Sequence, residues 1–134
     1  MMLIEFVKNN DVDYTFNRIS ADRISEMESK TGVTFGEQLK KYVLEYGYLG
    51  YKHIELFGIN NGQGVNSDMV VKTLWLHSSF DKTRNLIAVE DQGDGDFYLV
   101  DSNDLVYRFV AGNNDIIPLN IDLFGYVLQR FLGA

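Results

Sequence analysis

A chain of 134 residues, of which 46% are hydrophobic and 13% aromatic, can form one core, so disorder is excluded and residues 1–134 are predicted to form a single domain. A formal net charge of −7 without a basic cluster makes nucleic acid and anionic membranes poor partners, whereas a basic protein would be attracted. The chain has no cysteine, no signal-peptide pattern and no apolar run near the ~20 residues that span a bilayer, so we expect a cytoplasmic protein.

The first third of the chain is predicted to be helical. Ser20 can cap a helix in which Ile24 and Met27 have the spacing of one apolar face, and Gly32 is a natural end for this helix. The pattern therefore predicts an amphipathic helix between Ser20 and Gly32.

A second helix is expected after the sequence from Thr34 to Glu37, which has the form of a capping box. In that motif the two side chains each accept a hydrogen bond from a backbone N–H of the first turn. Gly47 is predicted to end this helix. Its apolar stripe consists of Leu39, Tyr42, Val43 and Tyr46.

The middle of the chain is rich in aromatic and β-branched residues between Tyr48 and Ile59, which predicts one or two short strands. Residues 60–64 have the composition of a loop. Asn66 or Ser67 is then expected to cap a short helix. The apolar positions of that helix are Val70, Val71, Leu74 and Trp75.

The second half of the chain has the pattern of strands. Three apolar runs, at residues 86–89, 97–100 and 105–110, are joined by short turns, which predicts an antiparallel meander. Asn120 is expected to cap a final helix with a stripe formed by Phe124, Val127, Leu128 and Phe131. The predicted fold class is α+β, with an antiparallel sheet ending in this meander and the N-terminal and C-terminal helices packed on one face of it.

Few residues offer catalytic or metal-binding chemistry. His53 and His77 are the only histidines and are far apart in sequence, so neither a zinc site nor a catalytic pair is expected. A calcium loop that started at Asp91 would place Gly93 and Ser102 at positions that need oxygen ligands, and the glycines fit a turn better. We therefore predict a protein without enzymatic activity, metal or cofactor.

The distribution of acidic residues is more informative than their number. Between Arg84 and Arg108 the chain has no lysine or arginine, and all six acids of this interval lie at predicted strand ends or turns. They form either a solvated rim or a docking surface for a basic protein. Trp75 is either part of the core or an aromatic anchor of the same surface. The six acids are Glu90, Asp91, Asp94, Asp96, Asp101 and Asp104.

The order of these motifs resembles the SUKH superfamily, which includes the SMI/KNR-type regulators of cell-wall assembly. The resemblance covers roughly residues 20–132. One departure is Phe35-Gly36, which stands where the family usually has a Leu-Pro step into the second helix. The segments that carry the resemblance are residues 24–35, 39–47, 54–59, 86–89, 93–101, 106–108 and 124–131.

The resemblance implies a protein-binding module without catalytic activity. Many bacterial members are immunity proteins that bind and neutralise a toxin, often a nuclease, of a polymorphic or contact-dependent system. Fungal relatives regulate cell-wall synthesis. We therefore expect an immunity protein whose acids contact a basic toxin, and the alternative is a regulatory scaffold for an endogenous partner. A small-ligand binder or enzyme is the third hypothesis.

Overall fold

The computed structural model describes residues 1–14, 19–59 and 68–134. Over these residues the predicted α+β class is confirmed, with five α-helices, one two-stranded sheet and one four-stranded antiparallel sheet. The elements are α1 (Leu3–Asn9), α2 (Ala21–Thr31), α3 (Glu37–Lys41), β1 (Gly50–Tyr51), β2 (Ile54–Glu55), α4 (Met69–Ser79), β3 (Ile87–Asp91), β4 (Asp96–Val100), β5 (Leu105–Val110), β6 (Asp115–Asp122) and α5 (Leu123–Leu132).

Helix α2 begins and ends where the sequence predicts. The Ser20 hydroxyl accepts a hydrogen bond from the Arg23 N–H at 3.3 Å, and Gly32 ends the helix in the left-handed conformation. Ile24 and Met27 are buried. Helix α1 has no counterpart in the prediction, although its Leu3 and Phe6 join the same core.

The start of α3 differs from the prediction, because Thr34 and Glu37 do not form a capping box. Gly36 is the first residue of the turn and has no capping side chain of its own. The Asp104 carboxylate instead accepts hydrogen bonds from the backbone N–H groups of Gln38 at 2.9 Å and Leu39 at 3.1 Å. A residue 66 positions away thus supplies the cap.

The glycine at position 36 is explained by this long-range cap. A Cβ atom there would overlap the Asp104 carboxylate, so only glycine lets the carboxylate approach the helix start. Beyond Lys41 the chain continues as a π-helical turn, Tyr42–Tyr46, and Gly47 ends it with a positive φ of 68°. All four residues of the predicted stripe are buried, which confirms that face.

The two short strands predicted between Tyr48 and Ile59 are confirmed as β1 and β2. The predicted loop at 60–64 and the predicted caps Asn66 and Ser67 lie outside the described residues. Helix α4 is capped by Asp68, whose carboxylate accepts a hydrogen bond from the Val71 N–H at 2.9 Å.

The predicted meander is confirmed as β3, β4 and β5, and a fourth strand, β6, extends it. The sequence analysis omitted β6, which contains Pro118 and forms an edge of the four-stranded sheet, where proline is tolerated. Asp122, and not Asn120, caps α5 by accepting a hydrogen bond from the Gly125 N–H at 2.8 Å. The buried residues of α5 are Leu123, Tyr126, Val127 and Phe131, so Phe124 and Leu128 lie at the margin of the buried face.

Helices contact both faces of the sheet, and the prediction of a single covered face is wrong. Phe97 and Tyr98 are neighbours in β4 and therefore point to opposite faces. The Phe97 ring lies 6.0 Å from the Trp75 ring of α4, whereas the Tyr98 ring stacks at 5.2 Å on the Tyr126 ring of α5. The core therefore extends on both sides of the meander.

Candidate functional site

The six predicted acids do not lie together. Strand β4 runs from Asp96 to Val100, so Asp101 and Asp104 lie at the opposite end of the sheet from the turn that contains Asp94. Five residues of strand span about 17 Å. Glu90, Asp91, Asp94 and Asp96 remain at one end, which we call the β3–β4 end.

Glu90 is buried, with 2% of its surface exposed, and is part of an ion pair. The Arg130 guanidinium of α5 donates to both carboxylate oxygens, with Nη2 at 2.6 Å from Oε2 and Nε at 3.0 Å from Oε1. The Tyr126 hydroxyl donates to Oε1 at 2.5 Å and accepts from the Gln92 amide at 3.1 Å. A buried charge is tolerated in this way only when it is paired and hydrogen-bonded, so Glu90 holds α5 on the sheet.

The titration of the surrounding groups follows from this pair. Burial, together with the charge of Glu90 and the hydrogen bond to it, raises the pKa of Tyr126 well above its ordinary value. The hydrogen bond to Glu90 raises the pKa of Arg130, so the guanidinium stays protonated. The network is therefore one negative and one positive charge that neutralise each other.

A cleft of about 300 Å³ opens beside this network, between β2, the end of β3 and α5. Asp91 and Glu55 are exposed residues of its lining, and both are acidic. Glu55 also accepts a hydrogen bond from the Tyr48 hydroxyl at 3.2 Å, and burial with the nearby Glu55 raises the pKa of Tyr48 to about 12. The lining residues are His53, Glu55, Leu56, Phe57, Glu90, Asp91, Gln92 and Arg130.

The charges of the lining leave the cleft acidic. Glu55, Glu90 and Asp91 contribute three negative charges and Arg130 one positive charge, so the net formal charge is −2 with His53 neutral. Glu55 was missed in the sequence analysis because it lies outside the cation-free interval and reaches the cleft only through the β1–β2 hairpin. Its exposed position in a two-residue strand gave no sequence signal.

The other two acids of the β3–β4 end differ in exposure. Asp96 pairs with Arg108 of the neighbouring strand, with Oδ2 at 2.7 Å from Nη2 and 3.1 Å from Nε. Asp94 is exposed in the turn and has a positive φ of 56°. Asp91 accepts a hydrogen bond from the Gly93 N–H at 2.8 Å, which tightens the same turn.

The two acids at the far end of the sheet stabilise local structure. Asp101 accepts hydrogen bonds from the backbone N–H groups of Asn103 and Leu105 and from the Tyr107 hydroxyl at 2.8 Å. Asp104 is buried at the start of α3, as described above. Both carboxylates therefore have partners within the chain.

Trp75 is not a core residue, because 47% of its surface is exposed. Its ring packs against Phe80 at 6.1 Å and Phe97 at 6.0 Å, which holds the indole at the margin of the core. The Lys72 ammonium lies 5.1 Å from the centre of the indole ring. Trp75 thus lies on the α4 face of the sheet, whereas Glu90 and Arg130 lie on the α5 face.

The two histidines are not brought together. His53 is exposed at the cleft, whereas the ring of His77 is hydrogen-bonded to the Leu86 carbonyl oxygen at 2.8 Å. Within residues 1–14, 19–59 and 68–134, no group of three or more His, Cys, Asp or Glu side chains has a geometry that could hold a metal ion.

The α+β architecture, with helices before and after a C-terminal antiparallel meander, is the one that the sequence pattern predicted. The chain belongs to the SUKH family described as SMI1-KNR4 cell-wall, whose model matches residues 1–124. Proteins of this family generally act as non-catalytic immunity or regulatory proteins, which supports a protein-binding role in general terms. No curated protein matches the chain. In the described part of the chain, no helix is both long enough and apolar enough to cross a membrane.

Proposed function

We propose that this chain is an immunity-type protein that neutralises a toxin by binding it, with the acidic cleft at the β3–β4 end as the contact surface. Membership of the SUKH family over residues 1–124 is the observation that carries the proposal. The partner is expected to be a basic domain, such as a nuclease, because the chain has a net charge of −7 and exposed carboxylates at the cleft. The site of action is expected to be the cytoplasm.

The burial and hydrogen bonding of the acids reduce the number of candidate contact residues. Glu90, Asp96, Asp101 and Asp104 are engaged by partners within the chain, so their removal would affect folding before binding. Asp91 and Glu55 are exposed and line the cleft, and Asp94 is exposed in the adjacent β3–β4 turn. These last three residues are therefore the proposed contacts for basic side chains of the toxin.

The first experiment identifies the partner. The tagged protein is incubated with lysates of its own cells and of neighbouring strains at low and at moderate salt, and the retained proteins are identified by mass spectrometry. A basic toxin domain that is retained at low salt and released by salt is the expected result, because salt screens exposed charges. An endogenous regulatory protein would favour the scaffold alternative, and retention of nothing at either salt would contradict partner binding.

The second experiment tests the surface with the purified partner. Glu55→Lys and Asp91→Lys should each weaken binding about tenfold at low salt and flatten its salt dependence, since rim charges mainly govern association. Asp115→Lys is the matched control, because it changes the net charge equally at an exposed position on β6. Equal effects of all three substitutions would overturn the assignment of the cleft.

A further inference from the structure

The outward face of α4 has an unusual polarity for a surface helix. Its exposed residues Val71, Leu74 and Trp75 are apolar, and their spacing of three and four residues places them on one side of the helix, which we call the α4 stripe. The buried face contains Thr73, whose hydroxyl accepts a hydrogen bond from the Ala88 N–H of β3 at 3.0 Å. Surface helices normally turn their polar side to water, so the stripe is an uncovered apolar face.

The aromatic residue of the stripe is held in a fixed position. The Trp75 ring packs against the rings of Phe80 and Phe97, with centroid distances of 6.1 Å and 6.0 Å. An aromatic side chain that is already immobilised loses little conformational entropy when a partner covers it, which is a property of interface anchors.

The unpaired charges beside the α4 stripe are positive. The Lys72 ammonium lies 5.1 Å from the centre of the Trp75 ring, so it borders the stripe directly. Lys30 of α2 is exposed and lines, together with Val71, a cleft of about 200 Å³ between α2 and α4. Within residues 1–14, 19–59 and 68–134, neither lysine forms an ion pair with a carboxylate.

The carboxylates near the stripe are already engaged. Glu26 lines the same cleft and forms an ion pair with Arg23 at 3.9 Å, and Asp81 pairs with Arg84 at 2.6 Å. Asp68 is buried and caps α4 with its carboxylate. Helix α4 itself contains no aspartate or glutamate. The stripe therefore combines apolar surface with uncompensated positive charge, in a chain whose net charge is −7.

This combination determines which class of partner fits the stripe. A protein segment that is apolar and also carries carboxylates complements both properties. Nucleic acid and anionic membranes do not fit, because two lysines neutralise few phosphates and the net charge of −7 repels them. A basic domain finds no unpaired carboxylate on α4, and a second copy of the chain would set lysine against lysine.

We propose that the α4 stripe docks an amphipathic helix of a partner protein, which carries acidic residues beside its apolar ones. The stripe continues into the cleft between α2 and α4, and a groove between two helices is a surface on which a third helix can lie. The apolar side chains of the partner would cover Trp75, and its carboxylates would pair with Lys30 and Lys72. This inference is independent of the toxin, because the acidic cleft lies on the α5 face of the sheet.

Two synthetic peptides of about 18 residues, long enough to form isolated helices, test the proposal with the whole purified chain. The acidic peptide has leucines at helical spacing flanked by glutamates, and the basic peptide has lysine in place of each glutamate. Neither contains tryptophan, so the emission of Trp75, the single tryptophan of the chain, reports binding at the stripe. The acidic peptide should shift this emission to shorter wavelength, with a dissociation constant on the order of 100 μM.

Substitutions on and away from the stripe locate the contact. Leu74→Gln should weaken binding of the acidic peptide about fivefold, and Leu44→Gln is its matched control, because both leucines have 39% of their surfaces exposed and Leu44 lies in the π-helical turn. Lys72→Met should weaken binding about threefold. Lys8→Met makes the same change of charge on α1, which packs on α5, and should leave binding unchanged.

The basic peptide sets the net charge of the chain against the local charge of the stripe. If the net charge of −7 governs association, the basic peptide will shift the Trp75 emission at a concentration equal to or lower than the acidic one, and the proposal is wrong. An acidic peptide that leaves the emission unchanged up to roughly 1 mM also overturns it. Equal weakening by Leu74→Gln and Leu44→Gln would overturn the assignment of the contact to the stripe.

Discussion

Removing one partner of the ion pair between Glu90 and Arg130 should destabilise the fold strongly, because it leaves a buried charge without its partner. Replacing Arg130 by methionine keeps the packing of the long side chain and removes the charge that compensates Glu90. Removing one partner of a fully buried pair costs about 3–5 kcal/mol. The Arg130 side chain is 28% exposed, so water can reach the vacated position, and we expect a loss nearer ~3 kcal/mol.

Urea denaturation at neutral pH, followed by the fluorescence of the single tryptophan and by circular dichroism, measures this loss. For a chain of this size, ~3 kcal/mol also lowers the melting temperature by roughly 10 °C. The double variant Glu90→Gln/Arg130→Met should be more stable than the sum of the two single losses predicts, by about 1.5 kcal/mol or more, because no unpaired charge remains. The neutral amide can still accept the Tyr126 hydrogen bond.

A second ion pair in the same sheet serves as the control. Arg108 and Asp96 have comparable geometry, but their side chains are 42% and 22% exposed, so Arg108→Met should cost no more than about 1 kcal/mol. The reasoning is refuted if Arg130→Met costs as little as Arg108→Met. It is equally refuted if the double-variant cycle shows additive losses, since Glu90 would then be stable without its partner.

Three further perturbations test other parts of the structure by denaturation. Asp104→Ala should lower the free energy of unfolding by about 2 kcal/mol, because two N–H groups at the start of α3 lose their acceptor. Asp104→Asn should lower it less, since asparagine tolerates the φ of 64° at this position and keeps one oxygen acceptor. Gly36→Ala should cost about 1–3 kcal/mol by displacing the same carboxylate, and an unchanged midpoint would contradict the close approach. Burial raises the pKa of Tyr42 and Tyr126, so the folded state holds these protons more tightly than the unfolded chain does. The free energy of unfolding is therefore independent of these two groups below about pH 10 and falls above it by about 1.4 kcal/mol per pH unit for each group. Tyr126→Phe should reduce this slope.

Local signals in the sequence predicted those elements whose ends are determined within a few residues. Ser20 and Gly32 delimit α2, and Gly47 ends the turn after α3, because hydroxyl caps and left-handed glycines act on neighbouring backbone groups. The cap of α3 could not be predicted in this way, since Asp104 lies 66 positions away in the sequence, between β4 and β5. Strand β6 was not predicted because it contains Pro118, and proline is compatible with a strand only at the edge of a sheet.

The buried faces of helices were predicted less well than their positions. In α4 the sequence predicted the apolar positions Val70, Val71, Leu74 and Trp75 without saying which of them are buried, and the last three are exposed. The hydrogen bond from the Ala88 N–H to Thr73 accompanies this orientation, with a hydroxyl inside and the indole at the surface. Hydrophobic periodicity cannot predict that a polar residue is buried when its hydrogen-bond partner lies on a strand 15 positions later.

Because partners distant in sequence cannot be seen in a local pattern, an interval without lysine or arginine does not identify an interface. In the interval between Arg84 and Arg108, Glu90 is neutralised by Arg130 of α5 and Asp96 by Arg108 itself, whereas Asp101 and Asp104 accept backbone hydrogen bonds. Four of the six acids thus have partners within the chain, and those of Glu90 and Asp104 lie 40 and 66 positions away. A substitution at any of the four that weakens partner binding would reflect damage to the fold. Asp91 and Glu55 are exposed and each accepts one hydrogen bond within the chain, so their substitution should change binding more than stability. That separation is the property that a contact residue must show.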